Sequence, residues 1–320
     1  MAQPAPSGSA QSAIEALLKE DLAAADAVMA NNGPILRHLL RSDDNSIFSD
    51  EIIARVRGMF QDIARQLIIA LAEAAGHSDP QGWAHNAADE LADLLAEQPA
   101  FLAHLHTLSL EWQLTERLQG RLTLDPVLPP LLQARIAAAE PDVAATAMNL
   151  LAAQARFGQA QRRMQLPLVE LPAMLFHDAL MTMRGFVGED AGADGYALVA
   201  ERTLRARFDE ERGRLGLLRR VLGAMGGDAA QALAIENGGA ALFLSALAMG
   251  SGQPREAAIM ATTETQFARL VLSLSACGLK TEAIAAQFMA LHPDITLPEG
   301  LAALRPDIAA AILSDPGAGG

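Results

Sequence analysis

His177 and Asp178, inside Leu175–Leu180, are the first pair that could do chemistry. A helical, exposed imidazole can accept a phosphoryl group from a bound partner, and the next aspartate can orient or deprotonate the ring. The structural alternative is a half-buried histidine beside a solvated aspartate. His85 and Asp89 sit four residues apart, on one face of a predicted helix, with His104 and His106 on the next. Two helices could bring three of these side chains around a metal. The sequence holds no HExxH and no Glu-x-x-His pair, and His104 and His106 point to different faces. Capping or surface roles are therefore expected, with no metal and no cofactor.

The remaining candidates are weaker. Asp43, Asp44, Asn45 and Ser46 are oxygen ligands without calcium-loop spacing or its glycine, and a polar turn suffices. Cys277, the one cysteine, precedes a glycine at a helix end, where the negative dipole raises a thiol pKa. It reads as a core residue, and a lone cysteine forms no intramolecular disulfide. Asp209, Glu210 and Glu211 could be paired carboxylates for acid–base work, but an arginine-rich helix makes them ion-paired surface. Met59, Met174 and Met183 fall in apolar stripes and are expected in the core. Lys19 and Lys280 are the only lysines; neither sits in a phosphate loop or a Schiff-base setting. No Gly-x-Ser-x-Gly elbow occurs.

The elements that must position these side chains are all helical. Alanine and leucine dominate, while β-branched and aromatic residues are sparse. Ser12 to Glu15 is a capping box for a helix stopping at Asn31-Asn32-Gly33, and Pro34 starts a short one ending in the turn Ser42–Asn45. Ser49 caps a helix over 51–76 that buries Ile52, Val56, Met59, Phe60, Ile63 and Leu67, with Arg55, Asp62 and Arg65 facing away. Its length would let it pair with a copy of itself, making a homodimer. Prolines and caps predict helices near 80–97, 99–119, 126–139, 141–165 and 168–185. The glycine-rich, acidic stretch 185–195 reads as a domain boundary. A long helix to about Met225 follows, carrying the pairs Glu201/Arg205 and Glu210/Arg214, with Gly213 and Gly216 marking a kink or a close contact.

Two C-terminal stretches repeat each other 26 residues apart: Gly252 to Ile259 and Gly278 to Ala285. Each follows an apolar run (Leu242–Met249, Leu270–Ala276) and precedes another helix, so the unit is helix, glycine stop, short connection, helix. A short helix after Pro306 completes the array. The segment from Gly239 to Phe288 resembles an alphaproteobacterial all-helical family of unknown function with HEAT-like helix pairs. The resemblance lies in the apolar helix before Gly252, the helix from Phe267 to Leu270, and its stop at Cys277-Gly278-Leu279. It implies stacked helix pairs and brings no catalytic residues.

The expected fold is all-α: antiparallel helix pairs stacked as a HEAT-like or bundle-like array, in two helical domains over 10–187 and 193–313. Residues 1–9 and 314–320 read as disordered ends. The net charge of -14 argues against nucleic acid and anionic membrane surfaces. No apolar run reaches the roughly 18 residues of a spanning helix, and the N-terminus carries no signal-peptide pattern, so the expected location is cytoplasmic. The function expected is a non-enzymatic protein-interaction or regulatory module. The alternative is a signalling bundle in which His177 serves as phosphoacceptor with Asp178 beside it; that dipeptide resembles the histidine-acid step of phosphotransfer bundles.

Overall fold

The computed structural model describes residues 8–41, 50–188, 191–297 and 304–314. Among them are fourteen α-helices: α1 (Gly8–Arg41), α2 (Asp50–Ala74), α3 (Pro80–Ala96), α4 (Pro99–Leu122), α5 (Pro130–Ile136), α6 (Pro141–Arg162), α7 (Ala173–Val187), α8 (Ala191–Arg207), α9 (Arg214–Met225), α10 (Ile235–Ser251), α11 (Arg255–Met260), α12 (Phe267–Ala276), α13 (Thr281–Leu291) and α14 (Pro306–Ser314). The fold is all-α, built from stacked helix pairs in the HEAT-like or bundle-like manner. The expectations placed on residues 1–7, on the turn and cap at 42–49, and on 315–320 lie outside the described residues.

The chain divides into two compact units that interleave in sequence. One comprises 1–32, 113–144 and 221–320; the other comprises 33–112 and 145–220. The stretch 185–195, which takes in the end of α7 and the start of α8, lies inside the second unit, where both helices pack on α2.

In the second unit α2 is the central element. It packs along α3 and also meets α7 and α8. All six stripe residues of α2 are buried as expected, joined by Ile53, Ala64, Ile68 and Leu71. Arg55 and Asp62, expected to face away, are also buried, because so central a helix has little solvent face left. Its exposed residues, among them Glu51, Arg57, Gln61 and Arg65, are polar apart from Ala54. The apolar stripe of this helix is used inside the unit itself. The helix ends where expected, with Gly76 at φ +75°.

Several helix limits differ from the sequence expectation. α1 begins ahead of Ser12 and runs through Asn31, Gly33 and Pro34. Asn31 Nδ2 donates to the Ala27 carbonyl at 3.0 Å, and Leu36 and Leu39 beyond the proline are buried in their unit. Burial outweighs weak stop signals and a proline's missing donor. Asp125 opens no helix; its Oδ1 accepts the N–H groups of Val127 and Leu128 at 2.8 and 2.9 Å in a turn, and α5 starts only at Pro130. The segment expected as one helix over 168–185 is a short 3-10 turn at Leu168–Glu170 followed by α7. The long helix to Met225 is broken between α8 and α9 by a 3-10 turn at Glu210–Arg212, beside the two glycines that signalled a kink.

The first unit contains the repeat. α10 packs on α5, α11 and α12, and α12 packs on α13 and α14. Gly252 and Gly278 stop α10 and α12 in the left-handed region, at φ +69° and +80°, where a side chain would be strained. Glu256 and Glu282 occupy the first turns of α11 and α13. Gln266 Nε2 donates to the Ala25 carbonyl at 2.7 Å, and Arg269 pairs with Asp26, which ties α1 to the start of α12.

Candidate functional site

In the second unit a groove of about 460 Å³ lies between α2, α3 and the turn after α6. From α2 come Gly58, Gln61, Asp62 and Arg65; from α3, Ala84, His85, Ala88 and Asp89; from the turn, Arg163, Met164 and Gln165. The α2 residues recur at three- and four-residue steps, so they form one helix face.

Local bonds fix the third wall. The N–H groups of Arg163 and Gln165 both bond the Ala160 carbonyl at 2.9 Å, and that of Met164 bonds Gln161 O at 3.0 Å. Met164 takes φ +55°, an uncommon left-handed conformation for a side-chain-bearing residue. Gly58 faces it: an added Cβ would lie 2.7 Å from both the Cβ and the carbonyl oxygen of Met164. Asp62 Oδ2 accepts Leu166 N–H at 3.2 Å and Gln66 Nε2 at 2.8 Å, and its Oδ1 pairs with Arg65. Burial raises the Asp62 carboxyl pKa above the usual range, against the opposing pull of Arg65, Leu166 N–H and Gln66. Gln66 completes the join: it donates to Leu166 O at 2.9 Å and accepts Leu168 N–H at 3.0 Å.

Asp62 and Arg65 therefore satisfy each other. Among the described residues His85, Asp89 and Arg163 form no side-chain hydrogen bond or ion pair, and all three are exposed at the groove. The groove thus offers one cation, one carboxylate and one imidazole to an outside group. Asp89 also lines a smaller adjoining recess of about 150 Å³ with Arg57, Phe60, Gln61 and Asp93.

His85 and Asp89 share a face as expected, but His104 and His106 are not surface or capping residues. Both are buried, because α4 is enclosed almost all round from Phe101 to Trp112. Burial pushes the His106 imidazole down to about 4. Among the described residues no group of three or more His, Cys, Asp or Glu could hold a metal ion.

His177 lies exposed on α7, and Asp178 is half-buried. The ring Nδ1 is 2.8 Å from Arg205 Nη2, and Arg205 Nε donates to Glu201 at 2.8 Å, the expected pair on α8. A guanidinium can only donate, so Nδ1 accepts. Cys277 caps α12, half-buried, with Sγ 3.7 Å from Leu247 O. Its thiol is pushed up to about 12, and the cause is burial rather than the helix dipole. Asp209 caps Glu211 N–H at 3.1 Å, and Glu211 pairs with Arg219 at 3.1 Å, both exposed. Met59 and Met183 are core residues, but Met174 is 74% exposed.

One constellation had no sequence signal. Arg214, expected to pair with Glu210 on a solvated helix, is instead buried, with Glu111, Gln154, Glu170 and Phe157 around it. Its partners lie 44 to 103 residues away, beyond any local spacing rule.

No helix among the described residues is long and apolar enough to cross a membrane. No family model, no curated protein and no solved structure matches this chain.

Proposed function

We propose that the chain is a non-enzymatic interaction module whose helix pairs present the groove between α2 and α3 to a partner protein. The observation that carries this reading is the groove's set of unsatisfied side chains, Arg163, Asp89 and His85, on a wall fixed by Gly58, Met164 and Asp62. Opposite charges held apart on rigid elements suit a polypeptide segment that supplies both signs. The non-enzymatic reading draws support from Cys277, whose thiol burial keeps protonated, and from the enclosure of His104 and His106.

A photo-crosslinking residue placed at Gln61, inside the groove, should yield a discrete adduct in cells, and one at Glu73, exposed further along α2, should not. Arg163→Glu should abolish the adduct. Equal adducts at both positions, or none at either, would remove the groove as the binding site.

The second reading, phosphotransfer through His177, has that residue's exposure on α7 in its favour. The Arg205 contact weighs against it. With Nδ1 accepting, the neutral ring carries its proton on Nε2 and has no lone pair there for attack. Incubation with phosphorylated response regulators, comparing the native chain with His177→Ala, decides it: label that reaches the native chain alone supports the reading.

A further inference from the structure

The groove between α2 and α3 continues into the smaller recess beside it, because Gln61 and Asp89 line both. Its floor is the alanine row of α3, Ala84 and Ala88 in the larger part, Ala92 and Ala96 in the smaller. Steps of four keep these methyl groups on one face, and side chains this short leave a depression along about 18 Å of helix. The walls follow the same step, with Arg57, Gln61 and Arg65 on α2 facing His85, Asp89 and Asp93 on α3.

The two ends differ in charge. In the larger recess Arg163 has no ion-pair partner among the described residues, Arg65 and Asp62 offset each other, and His85 adds an imidazole. In the smaller recess Asp89 and Asp93 both lack an ion pair among the described residues. They stand against Arg57, whose Nη2 donates to the Leu40 carbonyl at 3.0 Å. The groove is therefore positive at the Arg163 end and negative at the Asp93 end. The eight residues from His85 to Asp93 set these ends about 12 Å apart. Gln61 stands between them, exposed, and its side-chain amide has no hydrogen-bond partner among the described residues. A side-chain amide both donates and accepts, which complements a peptide group. A helix has already used its backbone groups internally, whereas an extended segment still presents them.

We infer that the groove takes an extended polypeptide segment carrying an acidic and a basic side chain four residues apart, an inference that rests on the groove being the partner site. The acid meets Arg163, the base meets Asp89 and Asp93, and Gln61 bonds the backbone between them. At about 3.3 Å per residue, four positions span about 13 Å, and the strand period of two returns both side chains to the same face. A spacing of three turns one of them away. The unlike ends also fix the orientation, since a segment laid the other way brings like charges together.

The test titrates the full chain into fluorescent, end-capped, threonine-rich peptides and follows their anisotropy. One set carries Glu and Arg four positions apart, in both orders. A second spaces them by three, and a third is a helical peptide with Glu and Arg eight positions apart. The better order of the first set should bind about tenfold or more tighter than the second and third sets. Arg163→Glu and Asp93→Lys, at exposed positions without ion pairs among the described residues, should each weaken that binding about tenfold or more. Replacing the peptide's Glu by Arg should restore binding to Arg163→Glu. Equal binding by the three-spaced or the helical peptide, or binding unchanged in Asp93→Lys, would overturn the proposal. A Gln61 adduct that forms in cells while no peptide binds would sink the extended segment and leave the groove itself as the partner site.

Discussion

Arg214 and Glu111 form a two-pronged ion pair, Nη1 to Oε1 at 2.7 Å and Nη2 to Oε2 at 3.0 Å, with each side chain 1% exposed. The guanidinium carbon stands 3.6 Å from the centroid of the Phe157 ring, and Gln154 Oε1 accepts from Nη1 at 3.3 Å. Glu170 Oε2 accepts the Arg214 N–H at 3.3 Å. Burial works against the Arg214 charge, but Glu111 and Glu170 hold its pKa above the ordinary value. Burial also raises the Glu170 carboxyl, against the pull of Arg214. This pair joins α4 to α9 inside one unit and fixes where the chain re-enters after the turn at 210–212.

Removing one partner leaves a buried charge uncompensated. Arg214→Met should therefore destabilise this unit by about 3–5 kcal/mol. The double variant Arg214→Met/Glu111→Leu, which removes both charges, should recover much of that loss. Urea unfolding followed by the fluorescence of Trp112, which is buried in the same unit, measures both. A double variant as unstable as the single would mean that the pair's hydrogen-bond network, not charge compensation, carries the stability.

Gly58→Ala tests the groove wall. Alanine favours a helix over glycine by about 1 kcal/mol, but here its Cβ meets Met164 at 2.7 Å. Overpacking of this kind costs about 1–3 kcal/mol, so a net loss is expected where an open helix position would gain. Gly120→Ala, at a helical site with nothing within 4 Å of an added Cβ, supplies the comparison in the same denaturation assay.

His106 makes stability depend on pH with a defined sign. Its imidazole stays neutral in the fold down to about 4, from an ordinary value of 6.5. Above 6.5 neither state binds the proton and the group contributes fully. As pH falls from 6.5 towards 4, the unfolded chain takes up a proton that the folded chain refuses, and stability drops by at most about 1.4 kcal/mol per pH unit. His106→Gln should flatten the stability profile across that window and leave the slope above pH 7 unchanged.

Cys277 should resist alkylation in the folded chain. A thiol raised from 9.0 to about 12 has its thiolate fraction at pH 8 cut roughly a thousandfold. Iodoacetamide labelling should therefore be slow in buffer and fast in denaturant, read by mass spectrometry. Comparable rates in both would show that the residue is not enclosed.

Much of the architecture was legible in the residues because it is local. The all-helical class follows from alanine and leucine in helical periodicity. The buried stripe of α2 follows from its spacing, Asp79 and Pro80 mark the start of α3, and Gly252 and Gly278 mark the stops of the repeat. Each is set by neighbours within a turn of helix. What only the tertiary structure decided depends on how distant segments meet. Arg55, Asp62 and Arg214 read as solvent-facing because their spacing is polar, and they are buried because partners more than a hundred residues away satisfy them. Pro34 and Asn31 read as a stop, yet burial of Leu36 and Leu39 carried the helix through. The groove shares this origin: His85 and Asp89 share a face by spacing alone, but Arg163 joins them only because Gly58 lets Met164 approach α2. Short-range periodicity determines which residues form helices; charge burial and groove chemistry depend on contacts that no local pattern encodes.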